Sequence, residues 1–317
     1  MVAEHFDLSA VIPESLSGGR VDAVLAQLFP QFSRARLQHW IKDGQVRVNG
    51  RCLRPRDRVM AGESVVLQAT VAEQSPWQAE QRALDVVYED AALLVINKPA
   101  GLVVHPAAGN WQGTLLNAVL AHDPALAALP RGGIVHRLDK DTSGLMVVAR
   151  TLAAHTSLVQ QLQARSVRRE YLALVYGALT GGATVDQPIG RHPQQRTRMA
   201  VVEGGKPAVT HVRIEERFAA HTLVRARLET GRTHQIRVHL SWLRHPLVGD
   251  PLYGGRLQLP RGCAPALAAA LQQFQRQALH ATRLSLLHPV SGDEMDWVAA
   301  LPADMQALIA ALRGSPA

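Results

Sequence analysis

His136-Arg137-Leu138-Asp139-Lys140-Asp141-Thr142-Ser143-Gly144 runs directly into Leu145-Met146-Val147-Val148-Ala149. The second half is a short, uninterrupted apolar run, which predicts a buried strand. The first half sets a carboxylate among three potentially cationic neighbours, His136, Arg137 and Lys140, and backbone packing behind it can hold that group still. A fixed, ionised Asp suits attack on, or stabilisation of, a cationic carbon centre. On local chemistry alone Asp139 and Asp141 compete for that part, and an ordinary turn Asp pairing with Lys140 or Arg137 accounts for either as well.

Upstream of this run, Leu93-Leu94-Val95-Ile96 reads as a strand. It ends at Asn97-Lys98-Pro99-Ala100-Gly101, where Pro and Gly enforce a turn, and Val103-Val104-His105-Pro106 then resumes. Helical spacing returns through Leu115, Leu116, Val119 and Leu120. Downstream, the pattern predicts a helix from about Leu152 to Arg165 and a strand from Glu170 to Tyr176. Further strands are expected at Val209 to Glu215, Thr222 to Leu228 and Ala281 to Leu286, and a last helix, Met305 to Leu312, at the edge. Helices fall between groups of strands without a regular βαβ repeat, which points to an α+β domain with a mixed, mostly antiparallel sheet.

A smaller unit precedes it. Val21, Val24, Leu25, Leu28 and Phe29 recur at helical spacing; Ser33 can cap a second helix carrying Leu37, Trp40 and Ile41, which Gly44 can end. Val46-Arg47-Val48 then alternates into Asn49-Gly50, a tight-turn signal, and Val65-Val66-Leu67 follows as a later strand. The expected organisation is a small α/β module over 17–75, a polar linker over 76–84 and the larger domain over 85–317.

The 317 residues hold 47% hydrophobic residues, ample for a core, and 34 Lys and Arg against 26 Asp and Glu. Between Arg34 and Arg56 there are seven Lys or Arg against one acid, Asp43, a clustering that favours nucleic acid over a solvated charged face. Arg34 and Arg36 start the second helix, Lys42 ends it, and Arg47 and Arg51 flank the turn, an arrangement able to track a phosphate backbone. A second basic element, Arg191-His192-Pro193-Gln194-Gln195-Arg196-Thr197-Arg198, has Pro in its middle and reads as a loop or hairpin tip suited to gripping an RNA stem. Cys52 and Cys263 stand far apart, in no disulfide or zinc spacing, so the compartment reads as reducing. No secretory leader or membrane-length apolar run is seen, and a soluble cytoplasmic protein is expected.

Several of these runs resemble, in the right order, the motifs of the ribosomal large-subunit pseudouridine synthases. Asn97 to Pro106 is similar to that family's first motif, and His136 to Asp139 to the one that ends in its nucleophile. Arg169-Glu170-Tyr171 is similar to its tyrosine segment, although the family more often has Lys at the first position. Thr230 to His239 is similar to its third motif, followed by His245-Pro246 and Gly249-Asp250-Pro251-Leu252-Tyr253-Gly254. The N-terminal helix, helix, Val-x-Val-Asn-Gly order resembles the S4 RNA-binding module. The resemblance spans residues 17 to 300.

It implies a uridine isomerase acting on 23S ribosomal RNA by base flipping. Asp139 would be the nucleophile, with Asp141 left to support the turn. Tyr171 would stack on the extruded uracil or move a proton through its hydroxyl. Arg237 would pair with Asp139, and Arg137 would occupy the space the base vacates. Arg34, Arg36, Lys42, Arg47, Arg51, Arg191, Arg196, Arg198 and Arg232 would hold the RNA. Likeness to the D subgroup implies helix 69 as target; a C-type enzyme acting at other sites and a non-catalytic ribosome-assembly factor are the alternatives. Exchanging one C1′ bond for another changes neither redox state nor composition, so no cofactor is expected. His234 and His239 lack a ligand set, so no metal is expected either. Monomer is the expected state.

Overall fold

A computed structural model describes residues 4–30, 32, 34–71, 77–106, 110–195 and 197–314 of the chain. It divides into two compact units, Met1–Pro76 and Trp77–Ala317.

The first unit opens with strand β1 (Glu4–Val11), which pairs antiparallel along the whole of β3 (Ser64–Val71); β2 (Val46–Val48) lies on the other side of β3. Strand β1 begins ahead of the residues from which the sequence predicts the module. Helices α1 (Val21–Leu28) and α2 (Arg34–Lys42) follow the apolar spacing and cover a core built on Leu25, Leu37, Val65 and Leu67. Ser33, the expected cap, lies outside the described residues. Asn49 (φ 47) and Gly50 (φ 75) both occupy the left-handed region that a two-residue hairpin turn demands. Strand β3 ends at Val71, within the residues expected of the module.

Among the described residues of the second unit nine strands form one sheet. They are β4 (Val86–Glu89), β5 (Leu93–Lys98), β6 (Ser143–Ala149), β7 (Arg168–Tyr176), β8 (Ala183–Asp186), β11 (Val209–Arg217), β12 (His221–Leu228), β13 (Leu279–Leu287) and β14 (Glu294–Val298). The order is β4-β5-β6-β13-β7-β12-β11-β8, with β14 on β13, and only β6 and β13 run parallel. The mixed, mostly antiparallel sheet is as expected. A separate hairpin joins β9 (Ile189–Arg191) to β10 (Met199–Val201), so the basic loop is indeed a hairpin tip.

Alternation along each strand sends side chains to two faces. Tyr171, Ala173 and Val175 of β7 pack with α3 (Leu115–His122) and α5 (Gln235–Trp242). Leu172, Leu174 and Tyr176 pack with α6 (Pro265–Gln273) and α7 (Ala303–Arg313). Helix α4 (Leu152–Gln163) lies over β5 and β6. Helix α7 therefore covers the middle of a sheet face and not its edge, because its apolar side Met305, Leu308, Ile309 and Leu312 needs a large partner surface. Residues 103–106 are irregular rather than extended, and the carbonyls of Val103 and Val104 accept from the first amides of α3. Thr114 caps that helix reciprocally with Asn117, an arrangement worth about 1 kcal/mol.

The expected linker is partly structured. Residues 72–76 lie outside the described set, but the Gln78 carbonyl accepts from Asn117 and the Glu80 carboxylate from the Gly113 amide, which ties this stretch to α3. Among the described residues no helix is long and apolar enough to cross a membrane.

Candidate active site

Asp139 sits in a turn closed by the Thr142 amide donating to its own carbonyl, immediately before β6. Behind that turn Gly144, at φ 116, lies against the Ala281 backbone of β13 so closely that a Cβ would collide with it. Only glycine lets the one parallel pair of the sheet close there. The turn is fastened from a second side by Lys98, 1% exposed, whose ammonium donates to the carbonyls of Pro99, Leu102 and Lys140 at 2.8, 3.0 and 2.9 Å. Three acceptors match the three N–H groups of the charged form. Burial pulls its pKa down to about 7, a shift that Asp141 and Asp139 only partly offset.

Tyr171 comes from the middle of β7 and Arg237 from the first turn of α5, so β6, β7 and α5 bring residues 139, 171 and 237 to one cleft of 910 Å³. Arg237 donates through Nη1 to Asp139 Oδ2 at 2.9 Å and through Nε and Nη2 to the two oxygens of Asp250 at 2.7 and 2.9 Å. Asp250 is fully enclosed and also accepts the amides of Leu252 and Tyr253. Burial would raise its pKa, but Arg237 and the two amides outweigh that and hold it low; Arg237 in turn is pushed above its ordinary value. The guanidinium is thus a fixed plane that presents one N–H to Asp139. Among the described residues Asp139 Oδ1 accepts no hydrogen bond; His234 Nε2 stands 3.9 Å from it. That oxygen keeps its lone pairs for whatever enters the cleft. Tyr171 is buried, which raises its pKa and keeps the hydroxyl neutral.

The cationic setting of Asp139 is not the expected one. His136 accepts the Val147 amide on Nε2 at 3.1 Å, and burial depresses its pKa to about 3, so it is a neutral brace for β6 and not a charge. Lys140 is exposed, and its carbonyl is what matters to the turn. Asp141 lies outside the lining of the cleft.

Of the residues expected to touch RNA, Arg137 is exposed at the cleft and Arg232 lines it, with Nε on the Pro207 carbonyl. Arg198 leans on the Tyr253 ring, 5.2 Å from its centroid; Arg191 is exposed at the base of the hairpin, and Arg196 lies outside the described residues. Arg131, Arg165 and Arg169, to which no such part was assigned, add to the basic lining. In the N-terminal unit Arg36, Lys42, Arg47 and Arg51 are exposed. Arg34 is engaged differently: with Arg20 and Gln38 it donates to the buried Asp22 carboxylate, joining α1 to α2.

Four residues of the site carried no role in the sequence reading: Lys98, His234, Asp250 and Tyr253. All lie in the quoted runs, but nothing in their spacing shows that the chain folds them around Asp139.

Comparison with known proteins follows the same division. Residues 92–242 match the family described as RNA pseudouridylate synthase, and residues 19–65 match the S4 domain. The "Ribosomal large subunit pseudouridine synthase D" of Xanthomonas campestris pv. campestris is 58% identical over 304 residues, 96% of this chain and 92% of that protein. The protein of the same name in Pseudomonas aeruginosa is 58% identical over 312 residues, 98% of each chain. The one in Escherichia coli strain K12 is 53% identical over 313 residues, 98% of this chain and 96% of that one. Among solved structures, "Human RNA Pseudouridylate Synthase Domain Containing 1" superposes with a TM-score of 0.54 at 27% identity, covering 74% of this chain and 96% of that one.

Proposed function

Because this chain belongs to the ribosomal large-subunit pseudouridine synthase family, we propose that its cleft converts uridines of 23S ribosomal RNA to pseudouridine with Asp139 as nucleophile. The observation that carries the residue assignment is a carboxylate with one oxygen clamped by Arg237 and the other open to the basic cleft. A uridine in a folded RNA presents C1′ to such a group only after leaving its stack. Arg131, Arg137, Arg165, Arg169 and Arg232 supply the positive lining for the backbone around it.

In the reaction the C1′–N1 bond breaks with its electron pair going to the uracil, and Asp139 Oδ1 meets the positive charge left at C1′. The uracil turns over against the Tyr171 ring, C5 bonds to C1′, the C5 proton leaves and N1 takes one up. Substrate and product are isomers, and the cleft is completed by one chain, which supports monomeric action. Its substrate supports a cytoplasmic setting. Arg36, Lys42, Arg47 and Arg51 hold flanking RNA, and the target we propose is helix 69.

The test maps pseudouridine across the large-subunit RNA of a strain deleted for this chain and complemented with wild type or Asp139→Asn. Wild type is expected to restore helix 69 modification and the variant to restore none. Modification restored by Asp139→Asn removes the nucleophile assignment; restoration at other sites makes the enzyme C-type. A variant that rescues growth with no modification supports an assembly factor.

A further inference from the structure

His234 combines a left-handed backbone with a ring that lines the cleft. It is a non-glycine residue at φ 56 and ψ 23, immediately before α5, where an L side chain costs about 1 kcal/mol or more. It is not there by slack. Gln235, buried, accepts from Thr230 Oγ1 and the Arg232 amide and donates to the Val209 carbonyl and Thr210 Oγ1, which leaves the backbone before it one course. The imidazole lines the cleft with Nε2 3.9 Å from Asp139 Oδ1, beyond hydrogen-bond range.

The tautomer follows from the partners. Nδ1 lies 2.8 Å from the Tyr253 hydroxyl, and that oxygen already accepts the Met199 amide at 2.9 Å. The phenol's own hydrogen has no other acceptor among the described residues, so it goes to Nδ1. Burial lowers the His234 pKa, favouring the neutral ring. A neutral ring that accepts on Nδ1 carries its hydrogen on Nε2, pointing into the cleft beside the nucleophile.

We propose that His234 is a further catalytic residue, its Nε2–H donating to a uracil carbonyl oxygen as the glycosidic bond breaks, with Tyr253 as the positioning residue that fixes the tautomer. The inference rests on the uridine-isomerase reading above. When C1′ stands at attack distance from Asp139 Oδ1, uracil O2 hangs from the ring carbon next to the breaking bond. The pair released from C1′–N1 spreads onto N1, O2 and O4, and a fixed donor at O2 stabilises it without a proton changing hands. Turning uracil about its N3–C6 axis exchanges N1 with C5 and O2 with O4. The same donor therefore meets O4 when the C5–C1′ bond forms, so one immobile group serves both halves of the reaction.

Single-turnover rates and RNA affinity are measured on the full-length protein with large-subunit RNA lacking the modification, alongside ¹⁵N NMR of labelled histidine. His234→Ala is expected to slow the chemical step by about 100-fold with RNA affinity unchanged, as for removal of one oxyanion donor. His234→Gln, which can place an amide N–H where Nε2–H stood, should recover at least about tenfold of that loss. Tyr253→Phe should shift the His234 resonances from one tautomer to a mixture and slow the step by a few-fold. A His234→Ala rate within twofold of wild type overturns the proposal, as does a wild-type spectrum with Nδ1 protonated. If His234→Ala is misfolded by thermal melting, a folded His234→Phe, which fills the space without an N–H, decides instead: a chemical step slowed by about 100-fold supports the donor, and a rate within twofold of wild type removes it. Wild type that makes no pseudouridine overturns the underlying reading instead.

Discussion

At the scale of single residues, the site is a problem in keeping charges fixed where water is scarce. Arg237 is almost wholly buried between Asp139 and Asp250, and the Asp250 side chain has no exposure at all. Such a pair is costly to assemble and more costly to break, because removing one partner strands a buried charge. Asp250→Ala is therefore expected to lower stability by about 3–5 kcal/mol, read as a fall in the urea midpoint. It also frees Arg237 to rotate, so the reaction should slow in whatever fraction remains folded. A loss below about 1 kcal/mol would show that Arg237 finds a substitute partner or water. His136 shows how composition misleads at this scale. A histidine beside arginines in sequence is counted as a charge, whereas the fold uses its lone pair to accept a backbone amide and excludes the proton.

At the scale of elements, hydrophobic period identifies what is buried uniformly and misses what is not. Strands β5, β6 and β7 were legible because their apolar runs are unbroken. Helix α5 was not, because Gln235, Arg237 and His239 are buried beside Ile236, Val238 and Leu240, and a helix with polar residues on its inner face has no readable stripe. Strand β4 was missed for a related reason: it is a largely exposed edge. It is held by Asp90, whose carboxylate accepts from the Tyr88 hydroxyl, the amides of Ala92 and Leu93, and His288 Nε2. Burial alone would raise the pKa of Asp90, but these four donors overcome it and lower the value to about 2. A carboxylate with a depressed folded pKa contributes stability above its unfolded value of about 3.9, and that contribution disappears as pH falls toward 2. Asp90→Asn should therefore cost about 1–2 kcal/mol at neutral pH in chemical denaturation, with the difference from wild type shrinking between pH 4 and 2. A difference independent of pH would assign the loss to shape rather than charge.

At the scale of the whole molecule, the positive balance is distributed otherwise than the basic run around residue 42 suggests. The N-terminal unit holds nine Lys and Arg against eight acids, and the larger unit 25 against 18. The excess thus lies mainly with the catalytic unit, whose cleft collects six arginines, while the smaller unit offers a stripe of cations on an otherwise balanced surface. Replacing Arg36, Lys42, Arg47 and Arg51 together by Ser is expected to weaken RNA binding and to flatten the plot of log affinity against log salt. The slope should fall by about 0.7–0.9 for each phosphate that is no longer neutralised. The chemical step at saturating RNA should keep its rate, since the cleft is untouched. An unchanged salt slope would mean that the stripe faces solvent when RNA is bound.

The sequence by itself determined the buried strands β5, β6 and β7, the hairpin tip and the likeness to a family, which in turn points to a carboxylate, a tyrosine and an arginine, residues 139, 171 and 237, that the fold brings to one cleft. These are legible because period and motif are local, and a run of a few residues carries them. Tertiary structure alone decided which groups are charged, which are braces and which face Asp139. Arg237 joins Asp250 to Asp139, and Tyr253 meets His234, only because the turn before β6, the start of α5 and the segment after it are packed together, and proton positions follow from donors that lie far apart in the chain. Burial and pairing are properties of the packed molecule, and they set what an imidazole, an ammonium or a carboxylate can do.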